Sequence, residues 1–258
     1  RPAGNGVPAI VRNPFSTSKE LMTLEPFNPK IDGRVPMAIE AARRIADECP
    51  EADIRIPLSG PFSLATNLMG FENLLCEIMT DPDLVARMLS HLVAGQVEFC
   101  KEVVRQGLDI AFFESAATPP LLSPQDFKKI EFAALKETME KNAAVVGHPV
   151  PCIMGGDTAP ILDSILQTGT GYDCCPAGTD QKLFMDIMKE YPDVMVRINM
   201  DPRPITSKIF RDVEKEVDRI FELANNRGKV CIGTGCLPFE TDPQAVLKTK
   251  EYILSESA

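Results

Sequence analysis

Six short apolar runs punctuate the chain, each followed by a stretch whose apolar residues recur at helical spacing. The runs are Asp53–Ser59, Leu108–Phe113, Val150–Met154, Gly171–Cys174, Val194–Ile198 and Val230–Ile232. Their three-to-seven-residue length and apolar content predict buried strands. Helices are predicted over Pro36–Cys49, after Gly60-Pro61, and over Glu72–Met79, Asp83–Gln106, Ser123–Asn142, Pro160–Gln167, Gln181–Glu190, Ser207–Asn225 and Pro243–Ser255. Asp81-Pro82 and Ser123-Pro124 carry the side-chain acceptor and the first-turn proline that open a helix.

Strands alternating with helices imply a parallel sheet with right-handed crossovers. Residues 1–34, rich in Pro and Gly, read as an entering loop, and residues 35–258 as the βα units of a single domain. A closed (β/α)8 TIM barrel needs eight strands. The expectation is therefore a TIM barrel whose first one or two strands precede this chain, which begins at Arg1. An open sheet is the alternative.

Hydrophobic residues at 44% and charged residues at 25% suit a globular protein with a sizeable core. A net charge of -10 argues against nucleic-acid binding, which needs clustered Lys and Arg. No apolar stretch approaches the roughly 20 residues of a membrane-spanning helix, and no secretory segment opens the chain. The eight cysteines include no CxxC pair, so a zinc ribbon or thioredoxin motif is not indicated. Reduced thiols in a cytoplasmic protein are the expectation.

The chemistry collects where the strands end. In a parallel barrel the C-terminal strand ends share one rim, where the βα loops build active sites. Glu114 follows Ile110-Ala-Phe-Phe, and a carboxylate there must be solvated, paired with Arg197, or used for substrate contact, metal ligation or proton transfer. Cys236 follows the last run and two glycines, Gly233 and Gly235, which let backbone approach a ligand. It is a candidate ligand or thiolate, or else an inert thiol. Cys152 lies within an apolar run. Cys174 and Cys175, being adjacent, face opposite ways, so at most one points inward. Asp157 in Gly155-Gly156-Asp157-Thr158 is a helix cap or a ligand contact, and Asn199 and Asp201 form a turn or touch substrate. His91 and His148 read as structural.

Five stretches together resemble the uroporphyrinogen decarboxylase superfamily, which includes cobalamin-dependent methyltransferases. They are Gly60-Pro-Phe-Ser-Leu-Ala, Glu114-Ser-Ala-Ala-Thr-Pro-Pro-Leu-Leu-Ser-Pro, Gly156-Asp-Thr-Ala-Pro-Ile-Leu, Asn199-Met-Asp-Pro and Gly235-Cys-Leu-Pro. The resemblance implies a (β/α)8 barrel and, from the Gly-Cys ending, the methyltransferase branch. That branch moves methyl groups between a small substrate or thiol and a corrinoid on a partner protein. Catalytic roles then fall to Glu114 and Cys236, and substrate contacts to Phe62, Asp157, Asn199 and Asp201. The branch holds zinc with a His-x-Cys pair and the later Cys, which makes Cys236 and Cys152 the metal candidates here. The pair itself is missing, because Ile153 and Gly155 stand in its place. His148 and Cys152 lie upstream, about 13 Å apart along an ideal strand. Tetrapyrrole decarboxylation is the alternative within the superfamily, and a ligand-binding barrel without catalysis the alternative outside it.

Overall fold

The computed structural model describes residues 10, 12–207 and 209–256. Its frame is one sheet of six parallel strands: β1 (Arg55–Ser59), β2 (Asp109–Glu114), β3 (Pro151–Met154), β4 (Tyr172–Cys175), β5 (Met195–Asn199) and β6 (Val230–Gly233). They lie side by side in chain order, every neighbouring pair parallel. The helices are α1 (Ser18–Leu21), α2 (Val35–Glu48), α3 (Pro61–Met69), α4 (Phe71–Thr80), α5 (Pro82–Arg105), α6 (Pro124–Asp126), α7 (Phe132–Val146), α8 (Leu162–Leu166), α9 (Gln181–Ile187), α10 (Arg203–Ser207), α11 (Phe210–Ala224) and α12 (Pro243–Glu256). Sequential parallel strands, each returned by helix to the same end, wind as in a (β/α)8 barrel. Among the described residues the sheet does not close.

The local chemistry explains the boundaries. The Asp81 carboxylate accepts from the Leu84 amide at 3.0 Å and opens α5, and Ser123 Oγ accepts from the Asp126 amide at 3.1 Å ahead of α6. A π-helical turn, Phe127–Glu131, joins α6 to α7. At its far end α7 stops at Gly147, in the left-handed region that glycine adopts without a Cβ clash. The 1–34 segment is not only loop. Thr17 caps α1 through the Glu20 amide, and the Ser18 amide donates to Glu77 at 2.8 Å. Leu21 is fully buried, which fixes this turn to the helix layer.

The strands present two different faces. Leu58, Phe112, Cys152, Asp173 and Val196 share one register row, and all are buried against the helices. The alternate row turns to the lumen side, where Phe113 is 41% exposed and Pro57 and Ser59 are also exposed. The core has two parts, one beneath β1–β3 with α3–α7 and one beneath β4–β6 with α9–α12.

Candidate functional site

β2 alternates Asp109, Ala111 and Phe113 toward the lumen with Ile110, Phe112 and Glu114 toward the helices. Glu114 is therefore fully buried in the helix layer and is not at the mouth. Its carboxylate accepts from the Ser63 amide at 3.2 Å, from the Ala116 amide at 3.2 Å and from the Ser63 hydroxyl. Ser63 Oγ in turn accepts from the Ser115 amide at 3.1 Å. Gly60 makes room for this group, since a Cβ there would sit inside the Glu114 carboxyl. No pairing with Arg197 forms.

Glu131, on the π-turn, faces the same compartment and is also fully buried. Neither of its oxygens finds a donor, and the nearby Phe62 amide lies outside hydrogen-bonding geometry. Burial lifts Glu131 well above the usual carboxylate range, and the charge of Glu114 lifts it further. Burial raises Glu114 too, opposed by its Ser63 hydrogen bonds. Two adjacent acids without a cation cannot both ionise, and the stronger upward push on Glu131 leaves the proton with it.

Cys152 and Asp173 continue this buried polar seam on the next two strands. Burial foremost, then the charges of Asp173, Glu114 and Glu131, hold the Cys152 thiol well above its ordinary pKa. Burial pushes Asp173 up to about 7, although its Oδ1 accepts from the Cys174 amide at 2.7 Å. The seam is buried from end to end.

On the lumen side, β4 to β6 bring a second set of polar groups together. Arg197 Nη2 and Asn199 Nδ2 both donate to Cys174 Sγ, at 3.4 and 3.3 Å. The Tyr172 hydroxyl lies 3.8 Å from Cys231 Sγ. Gly233 backs the cluster: a Cβ there would meet Asn199 Oδ1 at 2.5 Å and Arg197 Cδ at 2.7 Å. One built on Gly235 would lie 3.5 Å from Asn199 Nδ2, so the turn carrying Cys236 passes over Asn199. Cys236 itself is exposed.

These placements separate the expected residues. Asn199 and the Cys236 turn adjoin on the lumen side, whereas Glu114 and Cys152 belong to the helix-facing seam, so Glu114 and Cys236 do not share a mouth. Phe62, expected beside substrate, is fully buried in the core at the first turn of α3. Asp157 accepts from Thr179 Oγ1 at 2.8 Å, and that oxygen accepts from the Ala159 amide at 2.9 Å, which ties the loops after β3 and β4 together. Asp201 is held low by its Arg203 ion pair at 2.5 Å and so serves the turn before α10. His148 lies 3.4 Å from Asp109 at the opposite end of the strands.

Sequence reasoning missed Ser63, Glu131 and Tyr172 and gave Arg197 no role of its own. The signal for Glu131 was a lone carboxylate between Ile130 and Phe132 on a helical stretch. A zinc site of the family type does not fit these residues. Ile153 and Gly155 offer no ligand, and Cys152 is turned away with its thiol protonated. Among the described residues no three His, Cys, Asp or Glu side chains group to hold a metal.

The family model for uroporphyrinogen decarboxylase (URO-D) matches residues 2–253. The chain belongs to the URO-D family. Two curated relatives carry the name methylcobamide:CoM methyltransferase MtaA, one from Methanosarcina barkeri (strain Fusaro / DSM 804) and one from Methanosarcina barkeri. They are 24% and 23% identical over 161 residues, 57% of this chain and 46% of each relative. This URO-D chain thus spans about half the length of the curated relatives it matches. A solved methyltransferase from Methanosarcina mazei superposes with a TM-score of 0.79 at 20% identity, covering 98% of this chain and 74% of that one. That likeness establishes the shared barrel-type fold.

Proposed function

We propose that this URO-D family protein is a methyltransferase that moves a methyl group between a small substrate or thiol and a corrinoid held by a partner protein. The observation that carries the reading is the juxtaposition of the Gly235-Cys236 turn with Asn199 at the rim of β5 and β6. It stands beside similarity to two methylcobamide:CoM methyltransferases. A bound corrinoid would supply the metal that accepts or releases the methyl group.

The chain's own part is to bind the other reactant and keep water from it. Cys236, exposed on a glycine-flanked turn, contacts the reactant at the rim. Asn199 and the lumen-side polar groups orient it below. Glu114 has a structural part: by accepting from Ser63 and Ala116 it ties the loops after β1 and β2 together on the helix side. Asp157 does the same for the loops after β3 and β4. No step is routed through zinc. Eight free cysteines support a cytoplasmic setting, and no helix among the described residues is long and apolar enough to cross a membrane.

The test is methyl transfer from methylcobalamin to a small thiol, followed by the cobalt absorbance change and thioether formation. Transfer is expected, with Cys236→Ala lowering the rate about tenfold or more while leaving the melting temperature unchanged. Decarboxylation of uroporphyrinogen without methyl transfer would overturn the reading in favour of the other branch.

A further inference from the structure

The segment between β6 and α12 carries an aromatic knob, and beside it α10, α11 and α12 enclose a hollow of matching size. We propose that two copies of this chain pair about a two-fold axis, each seating Phe239 in the hollow of the other. The pairing does not depend on which reaction the rim of β5 and β6 performs.

Phe239 is 99% exposed, more than any other large apolar side chain described. A single exposed apolar residue is ordinary by itself. This one, however, is held outward. The Thr241 amide donates to the Pro238 carbonyl at 3.0 Å, which closes a turn with Phe239 and Glu240 at its tip. Asp242 then opens α12, its Oδ1 accepting from the Gln244 amide at 2.9 Å. With the tip fixed on that side, the ring stands clear of its own chain.

The hollow has a volume of about 140 Å³, and Ile205, Phe210, Val213 and Ala245 give it apolar walls. Ile205 and Val213 are buried and form a dry floor. Phe210 stands edge-on to Tyr252, with ring centroids 6.0 Å apart, and adds an aromatic side. An apolar cavity of about 150 Å³ takes up benzene. The hollow therefore has room for one phenyl ring, and the ring it lacks is present three residues before Asp242, which also lines it.

Charge fits the same pairing. Glu240, next to the ring, and Lys248, beside the hollow, are both exposed and have no ion-pair partner among the described residues. Seating Phe239 carries Glu240 towards Lys248 of the other copy. Asp242 does not compete, because its carboxylate is engaged at the start of α12. Knob and hollow adjoin on one surface, so a single two-fold rotation makes both contacts at once, whereas a head-to-tail contact makes one per junction.

Sedimentation velocity over about 1 to about 300 µM chain reads the pairing directly, since the dimer population rises with concentration. Wild type should pass from monomer to dimer across that range. Phe239→Ala should raise the dissociation constant about tenfold or more, as expected of an anchoring aromatic side chain. Ala245→Phe, which fills the hollow from within, should do the same, with melting curves confirming that both variants fold. Glu240→Lys and Lys248→Glu should each weaken the dimer, and the double variant E240K/K248E should regain it, because reciprocal contacts restore opposite charges. A chain that stays monomeric throughout would leave this surface to a different protein and overturn the pairing. A dimer indifferent to F239A and A245F, a double variant no better than its singles, or growth into longer assemblies would overturn it as well.

Discussion

Glu114 and Glu131 sit where no cation reaches them, so the proton between them is part of the fold. Glu131 has its folded pKa raised above the unfolded value, chiefly by burial. Such a group favours the folded state fully below the unfolded carboxyl pKa, and the contribution is lost as pH rises through the folded pKa. Glu131→Gln replaces the titrating proton with a permanent amide donor to Glu114. In urea unfolding at pH 8 the variant should be more stable than wild type, and the gain should shrink at pH 5. An equal change at both pH values would show that the pair does not hold a proton. Asp173 titrates in a narrower window. Its pKa rises from 3.8 unfolded to about 7 folded, so its stabilising contribution falls across that interval and is flat above it. Asp173→Asn should flatten the slope of melting temperature against pH between those two values. An unchanged slope would mean that Asp173 is ionised in the native protein.

The strands were legible at the level of elements because each is a short apolar run closed by a polar residue. All six appear within two residues of the predicted limits, from Asp53–Ser59 against Arg55–Ser59 to Val230–Ile232 against Val230–Gly233. Helix ends read well where a side chain caps them, as at Asp81 and Ser123. What could not be read was the face of each strand. Ile110-Ala-Phe-Phe is apolar on both sides, so nothing in the pattern says whether Glu114 turns to the lumen or to the helices. Closure of the β1–α3 turn onto β2 decides it, because only glycine at position 60 leaves space for the Glu114 carboxyl on the helix side. Gly60→Ala tests this directly. The added methyl must displace the carboxylate from Ser63, and a denaturant midpoint should report a loss of about 1–3 kcal/mol. A loss within about 0.5 kcal/mol would mean that the loop yields without disturbing the pair. The lumen cluster was not read as a unit for a related reason: Tyr172 and Cys174 come from β4 and Arg197 and Asn199 from β5, and only the register aligns them.

Across the whole molecule, the eight cysteines record which faces the fold conceals. Cys76 on α4 and Cys236 on the rim are exposed, Cys49 and Cys231 are half-buried, and Cys100, Cys152, Cys174 and Cys175 are buried. Burial also removes the reactive thiolate: Cys100 is pushed up to about 12, and Cys152, Cys174 and Cys175 are raised as well. For these four buried thiols, poor access and a raised pKa both oppose reaction. Alkylation of native protein, read by peptide mass spectrometry, should mark Cys76 and Cys236 first and Cys49 and Cys231 more slowly. The other four should react only as the chain unfolds. The pair Cys174 and Cys231 carries the most information, because both belong to the lumen cluster around Arg197 but differ in burial. If the lumen side is the working face, a small S-methyl thioether, which leaves the thiol-directed reagent unspent, should slow modification of Cys231 without affecting Cys76. Rapid native labelling of Cys152 would instead place β3 with its other face to the helices, and the separation of a buried carboxyl seam from an open substrate face would fail with it.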